Sequence, residues 1–161
     1  MKKNELVPLF DTAYQGFASG SLEKDAFPIR LFLERGFQML VTQSYAKNMG
    51  LYGERVGALH VVTLSTKTAE NVLSQLKMII RPMYSSPPMH GALIVHKILS
   101  NPIYFTRWEN ELSSISNRII QVRKLLRDEL ERLKTPGNWE HITNQIGMFS
   151  YTGLSGKIIL Y

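Results

Sequence analysis

Between Pro102 and Lys134 the apolar residues Trp108, Leu112, Ile115, Ile119, Val122, Leu126, Leu130 and Leu133 return at intervals of three and four. That spacing places them on one stripe of an α-helix. The sequence therefore predicts one long helix, buried along a face for several turns and ended by Thr135-Pro136-Gly137. Upstream the period changes. Residues 5–11 read as a short buried strand ending in Asp11, residues 37–43 as an apolar strand of parallel-sheet character, and residues 58–64 as a third. Helices are expected from about Pro28 to Gly36, from Thr66 with Val72, Leu76 and Ile79 on one face, and over GALIVHKIL. The prolines of RPMYSSPPMHG separate the last two. NWEHITNQ reads as a short helix and GMFSYTGL as a strand and turn. Strands alternating with helices predict an α/β layer with a partly parallel sheet. Three strands leave such a sheet short of cover on its faces and edges, so the chain reads as half of an architecture.

Composition narrows the function classes. The 161 residues suit one domain, and 44% hydrophobic with 20% charged residues is ordinary for a globular protein. No apolar run approaches the roughly 20 residues that span a bilayer, and MKKNELVPLFD lacks the apolar core of a signal peptide. There are no cysteines, which excludes disulfides, thiolate metal sites and cysteine nucleophiles and is expected of an intracellular chain. The four histidines show no i,i+4 pairing, so no metal site is expected. A net charge of +6 raises nucleic acid as a partner. However, no Lys/Arg run exceeds two residues, and QVRKLLRDELERLK mixes both signs as a solvated helix face does.

The stretch QSYAKNMGLYGERVG, residues 43–57, sets Lys47 in a loop directly after an apolar strand. In a parallel sheet that is the edge where ligands bind. A pyridoxal phosphate site needs a lysine to bond the aldehyde, an acid at the pyridinium nitrogen and an arginine at the phosphate. Lys47 and Asp11 can fill the first two places. Tyr14 can donate its phenol to the ring oxygen, and Ser44 with Arg55 can give a hydroxyl and a guanidinium fork to the phosphate. Each residue alone also suits a plainer role: Lys47 on the surface, Asp11 capping a turn, Tyr14 in the core, Arg55 paired with Glu54 or Asp25.

Taken together, SYAKNMGLYGERVGA, PLFDTAYQGFASG, RPMYSSPP and QIGMFSYTGL resemble the aspartate aminotransferases, fold-type-I pyridoxal phosphate enzymes. The likeness is collinear from Val7 to Leu154. It implies that residues 1–100 form the C-terminal half of a large cofactor-binding domain with a mixed, mostly parallel sheet and flanking helices. Residues 101–134 would be a long interdomain helix and residues 135–161 the truncated start of a small domain. It further implies that Lys47 carries the cofactor and moves the substrate's proton, that Asp11 pairs with the pyridinium, and that Tyr14 meets the ring oxygen. Ser44 and Arg55 match phosphate ligands. Arg81 matches an arginine that crosses a homodimer interface to a substrate's distal carboxylate, and Ser85 and Phe149 match the substrate cavity. The substrates implied are dicarboxylic amino and keto acids, L-aspartate and 2-oxoglutarate above all, with no nucleic acid and no membrane partner.

The departures carry expectations too. Ser86 stands where many relatives have asparagine, in common with plant-type members, and Pro28 falls where relatives continue a helix. The helix terminus and stacking aromatic that hold the cofactor in the family have no counterpart here, and SGKIILY replaces the segment that should bring an arginine to the α-carboxylate. A truncated form, inactive alone, is therefore expected. The alternative is a non-catalytic paralogue that pairs with a full-length subunit. The plant-type features favour the cytoplasm, with plastid or mitochondrion as alternatives.

Overall fold

The structure, a computed structural model, describes residues 2–153. The expectations for SGKIILY and Leu154 lie outside the described residues. The elements in order are β1 (Leu9–Thr12), α1 (Leu22–Asp25), α2 (Phe27–Glu34), β2 (Met39–Ser44), β3 (Gly57–Val62), α3 (Thr66–Tyr84), α4 (His90–Ser100), α5 (Pro102–Arg132) and α6 (Glu140–Asn144). The fold is α/β with a mixed sheet of order β1-β2-β3, β1 pairing parallel with β2 and β3 antiparallel to it.

Alternation along the strands divides the sheet into two faces. Met39 and Val41 of β2 are buried. Phe10, in register with Val41, meets Phe32 of α2 edge-on at 5.1 Å. The opposite face carries Asp11 beside Thr42 and Ser44 beside Gly57. That face is open. Residues 5–11 were expected to be a buried strand, but β1 begins at Leu9, which is 63% exposed. With β2 on one side only, β1 is an edge strand, and edge strands need not be buried. His60 of β3 is likewise exposed.

The helix starts follow capping chemistry. Ser65 accepts a hydrogen bond from Thr68 N (3.1 Å) at the head of α3, and Asn101 Oδ1 accepts from Ile103 N and Tyr104 N at the head of α5. Pro28 sits in the first turn of α2, where no N–H is missed. α3 continues through Arg81 and Pro82 to Tyr84, so the break expected in RPMYSSPP falls at Ser85, whose φ is +59°. α4 approaches the chain before β3 closely. A Cβ on Gly91 would lie 2.8 Å from Glu54 Cβ, so only glycine lets the helix seat there.

The long helix is correct in extent but only in part in its inner face, which keeps Trp108, Leu112, Ile119 and Leu130 of the expected stripe. Leu112, Ser116 and Arg123 are its buried residues. Ile115, Val122, Leu126 and Leu133 of the expected stripe are about half exposed or more. The inward positions include polar side chains because they bond to loops. Ser116 Oγ donates to Phe17 O (3.0 Å), and Arg123 donates to Gln145 O, Gly147 O and Phe149 O. GMFSYTGL correspondingly forms no strand among the described residues. Its carbonyls meet a guanidinium instead of a neighbouring ladder. Apart from the buried Arg123, the charges of QVRKLLRDELERLK form a solvated face as expected, with Lys124 paired to Asp128 and Arg132 to Glu129. No described helix is long and apolar enough to cross a membrane.

Candidate functional site

β2 delivers its last residue, Ser44, to the carboxyl edge of the parallel pair, and the chain turns there. Ser44 Oγ accepts from Ala46 N (3.2 Å), and Lys47 O accepts from Gly50 N (3.2 Å), so Lys47 is held in a tight turn. Tyr45 N donates to Val56 O, closing the base of the loop that leads into β3. Burial pushes the Tyr45 phenol up, so it stays protonated. Asn48 is buried, and its carbonyl accepts from Trp108 Nε1 of α5 at 2.8 Å. Its side-chain Oδ1 is buried with no hydrogen-bond partner among the described residues.

This pin on the lysine turn has a measurable worth. Trp108→Phe keeps an aromatic ring, though a smaller one, but removes the donor, leaving the carbonyl of buried Asn48 unpaired. We expect the chain to lose about 1–3 kcal/mol of stability, read by denaturant unfolding. An unchanged midpoint would show that the hydrogen bond is dispensable.

Lys47 itself is half-buried. Its Nζ lies 4.3 Å from the centre of the Tyr52 ring and 5.9 Å from that of Tyr14, within the reach of cation–π attraction. Tyr14 follows β1 and is fixed by its surroundings. Phe17 meets it edge-on at 5.8 Å and Phe149 at 5.4 Å. The loop behind it is tied by Asp25, whose carboxylate accepts from Gly16 N (2.7 Å), Ala18 N (3.1 Å) and Ser19 N (3.2 Å). Asp25 is thus committed to that loop. Arg55 donates to Tyr52 O (3.1 Å) and holds φ at +49°, an uncommon backbone for a non-glycine residue.

Asp11, Ser44 and Arg55 line one open cleft of about 320 Å³, together with Thr42 and Gly57. Asp11 also lines an adjoining recess of about 580 Å³ with Tyr14, Pro28 and Ile146. Lys47 lines neither cleft but approaches Tyr14, and Asp11, Tyr14, Ser44 and Arg55 are thereby brought to one edge of the sheet. Arg81 and Ser85 are not. They lie in and just after the last turn of α3, exposed, and line neither cleft. Phe149 reaches the group through its contact with Tyr14. Sequence reasoning missed Tyr52, although it lies within the quoted lysine stretch, five residues from Lys47. It also missed Asn48 as the link to α5. Among the described residues no three His, Cys, Asp or Glu side chains gather to hold a metal ion.

The donor set fits a flat, charged ring with a phosphate arm. A carboxylate stands at one side of the cleft and a hydroxyl and a guanidinium stand with it, which suits a cationic ring nitrogen and an anionic group respectively. The volume falls in the usual range for such sites. Lys47 approaches from the adjoining turn with its amine against aromatic faces.

The family profile described as Aminotransferase class I and II matches residues 1–159. The chain is 58% identical over 155 residues to the chloroplastic aspartate aminotransferase 3 of Arabidopsis thaliana, covering 96% of this chain and 34% of that protein. It is 53% identical to the cytoplasmic aspartate aminotransferase of Oryza sativa subsp. japonica, over 100% of this chain and 40% of that one. Among solved structures, the aromatic-amino-acid aminotransferase of Burkholderia pseudomallei, covalently bound to pyridoxal phosphate, superposes with a TM-score of 0.92. That match has 44% identity and covers 96% of this chain and 38% of that one. The chain therefore spans between 34% and 40% of the length of these relatives.

Proposed function

The chain belongs to the aminotransferase class I and II family, and from that premise we propose that its residues serve amino-group transfer between L-aspartate and 2-oxoglutarate, with pyridoxal phosphate as cofactor. The products are oxaloacetate and L-glutamate. One observation carries the reading: Asp11, Ser44 and Arg55 share a cleft beside the turn that holds Lys47.

When bound, the cofactor supplies an electron sink for the negative charge that forms at the substrate's α-carbon. The chain's residues do the rest. Asp11 keeps the ring nitrogen protonated by placing a carboxylate at it. Tyr14 gives its phenol proton to the ring oxygen as a hydrogen bond. Ser44 and Arg55 would hold the phosphate, and the half-buried amine of Lys47 would anchor the ring and, once released from it, take the proton from the substrate's α-carbon. Arg81 binds the distal carboxylate of the substrate from across a homodimer, and Phe149 and Ser85 border the substrate.

The dimer reading is supported by the exposed apolar side chains around Arg81: Met83 at 70% exposure, Met89 at 69% and Leu93 at 54% lie along α3 and α4 without cover. The domain reading places residues 1–100 in the cofactor-binding domain, α5 between domains and residues 135–161 in a small domain. It is supported by the loop contacts made along α5. The cytoplasmic reading is supported by the rice relative's name and the plastid one by the Arabidopsis relative's.

The test is covalent. The chain is incubated with pyridoxal phosphate, reduced with borohydride and digested, and the pyridoxyl group is mapped. We expect it on the peptide holding Lys47. Label spread evenly over Lys67, Lys77 and other surface lysines would overturn the assignment.

A further inference from the structure

We propose that Arg123, which lies outside both clefts at the lysine site, is a positioning residue for it: its guanidinium fixes the 145–149 segment that lays Phe149 against Tyr14. The inference rests on the functional reading above for its significance, but not for its geometry.

Arg123 is only 8% exposed. Nη1 donates to Gln145 O (2.8 Å), and Nη2 donates to Gly147 O (2.7 Å) and Phe149 O (2.7 Å). Among the described residues no carboxylate forms an ion pair with it. Asp128 and Glu131 line the same groove but are paired with Lys124 and Arg127. A guanidinium desolvated at this cost and given over to three carbonyls of one segment does not neutralise charge. It holds a backbone in place, using a planar fork that a lysine ammonium cannot reproduce.

What it holds faces the site. Ile146 lines the recess shared by Asp11 and Tyr14. The Phe149 ring stands 5.4 Å from Tyr14 at an angle of 78°. Phe149 is 73% exposed, so its position depends on its backbone far more than on packing. Gln145 closes the segment on itself, its side chain bonded to Tyr151 N (2.6 Å) and Tyr151 O (2.9 Å). Arg123 is the α5 side chain that bonds that unit directly; a second, indirect tie runs through α6, where Gln145 Nε2 donates to His141 O (2.8 Å) and Arg127 of α5 donates to Thr143 Oγ1 (2.8 Å). Two turns earlier on the same helix, Ser116 bonds to Phe17 O at 3.0 Å, securing the loop on the other side of Tyr14. Tyr14 is thus clasped between two loops fastened to one helix face, and its ring is 5.9 Å from Lys47 Nζ.

The experiment uses the full chain, labelled with 3-fluorotyrosine and free of cofactor. The Tyr14 fluorine resonance is assigned by its loss in Tyr14→Phe. Phe149→Leu should move that resonance by removing the aromatic edge. Arg123→Met should move it to a similar position, Arg123→Lys part of the way, and Arg118→Met, at an exposed site on α5, not at all. In parallel, Arg123→Met should weaken pyridoxal phosphate binding about tenfold, the worth of the hydrogen bond that a displaced Tyr14 would no longer give the ring oxygen, with Arg123→Lys recovering part of it. Helical content by circular dichroism checks that each variant is folded. If Arg123→Met fails that check, Arg123→Lys, which keeps the charge, decides the matter. A Tyr14 resonance unmoved in a folded Arg123 variant would overturn the proposal, as would an equal shift in Arg118→Met. Failure of the borohydride label to reach Lys47 would sink the functional reading and leave the fluorine result standing.

Discussion

Exchanging Lys47 for alanine is expected to lower transamination by about 10⁴-fold, the upper end of what a positioned proton carrier contributes. The measurement is made in a chimera in which this chain replaces the matching segment of a full-length relative, assayed with L-aspartate and 2-oxoglutarate. The turn should survive, because the contact that closes it uses Lys47 O and Gly50 N rather than the side chain. The loss is then chemical. On the proposed role of Lys47, alanine would leave neither an anchor for the cofactor nor a base for the α-proton, and Tyr52 and Tyr14 could not replace an amine that changes protonation state. Lys47→Arg should fare no better, since a guanidinium does not give up its proton near neutrality. Activity of Lys47→Ala within tenfold of the parent chimera would remove this residue from the reaction.

The second large effect concerns selectivity. In the same chimera, Arg81→Leu should cost aspartate and glutamate roughly 30- to several-thousand-fold in kcat/KM, about 2–5 kcal/mol for truncating one partner of a buried charged contact. Aromatic and aliphatic amino acids should lose far less. Arg81 lies in the last turn of α3, where Ser85 N caps Arg81 O, and no described residue forms an ion pair with its side chain. A leucine there disturbs little of this chain's own packing. Equal losses for alanine and aspartate would take Arg81 out of the distal-carboxylate role.

The elements were legible where periodicity spoke for one neighbour at a time. β2, β3, α2, α4 and the extent of α5 follow from alternation, capping and proline placement. The cleft was legible in part, because Asp11 and Ser44 lie at the ends of β1 and β2 and Arg55 in the loop between β2 and β3, the loop that also holds Lys47. What the sequence concealed was the choice among neighbours. Along α5 an apolar stripe suggested an inner face through Ile115 and Val122, but Ser116 and Arg123 face inward, because loop carbonyls needed donors. A hydrophobic pattern cannot register that need. For the same reason residues 147–153 read as a strand: their composition suits extended chain, and only the tertiary structure shows a guanidinium where a partner strand would be. Arg123 was read with the solvated charges around it, since nothing local distinguishes a buried arginine from Lys124 beside it. Tyr52 escaped notice because its value lies in reaching back over the turn to Lys47.

The pairing of Asp11 with Thr42 and of Ser44 with Gly57 makes the site sensitive to the parity of the chain. Side chains on a strand change sides at every residue, so inserting one residue between Pro8 and Asp11 would turn the carboxylate away from the cleft and bring its neighbour there instead. Inserting two would restore its side but displace it by about 6.6 Å along the strand. Odd and even changes of length should therefore fail differently. On the proposed role of Asp11, an odd one would take the acid away from the ring nitrogen, and an even one would leave an acid in the cleft at the wrong depth.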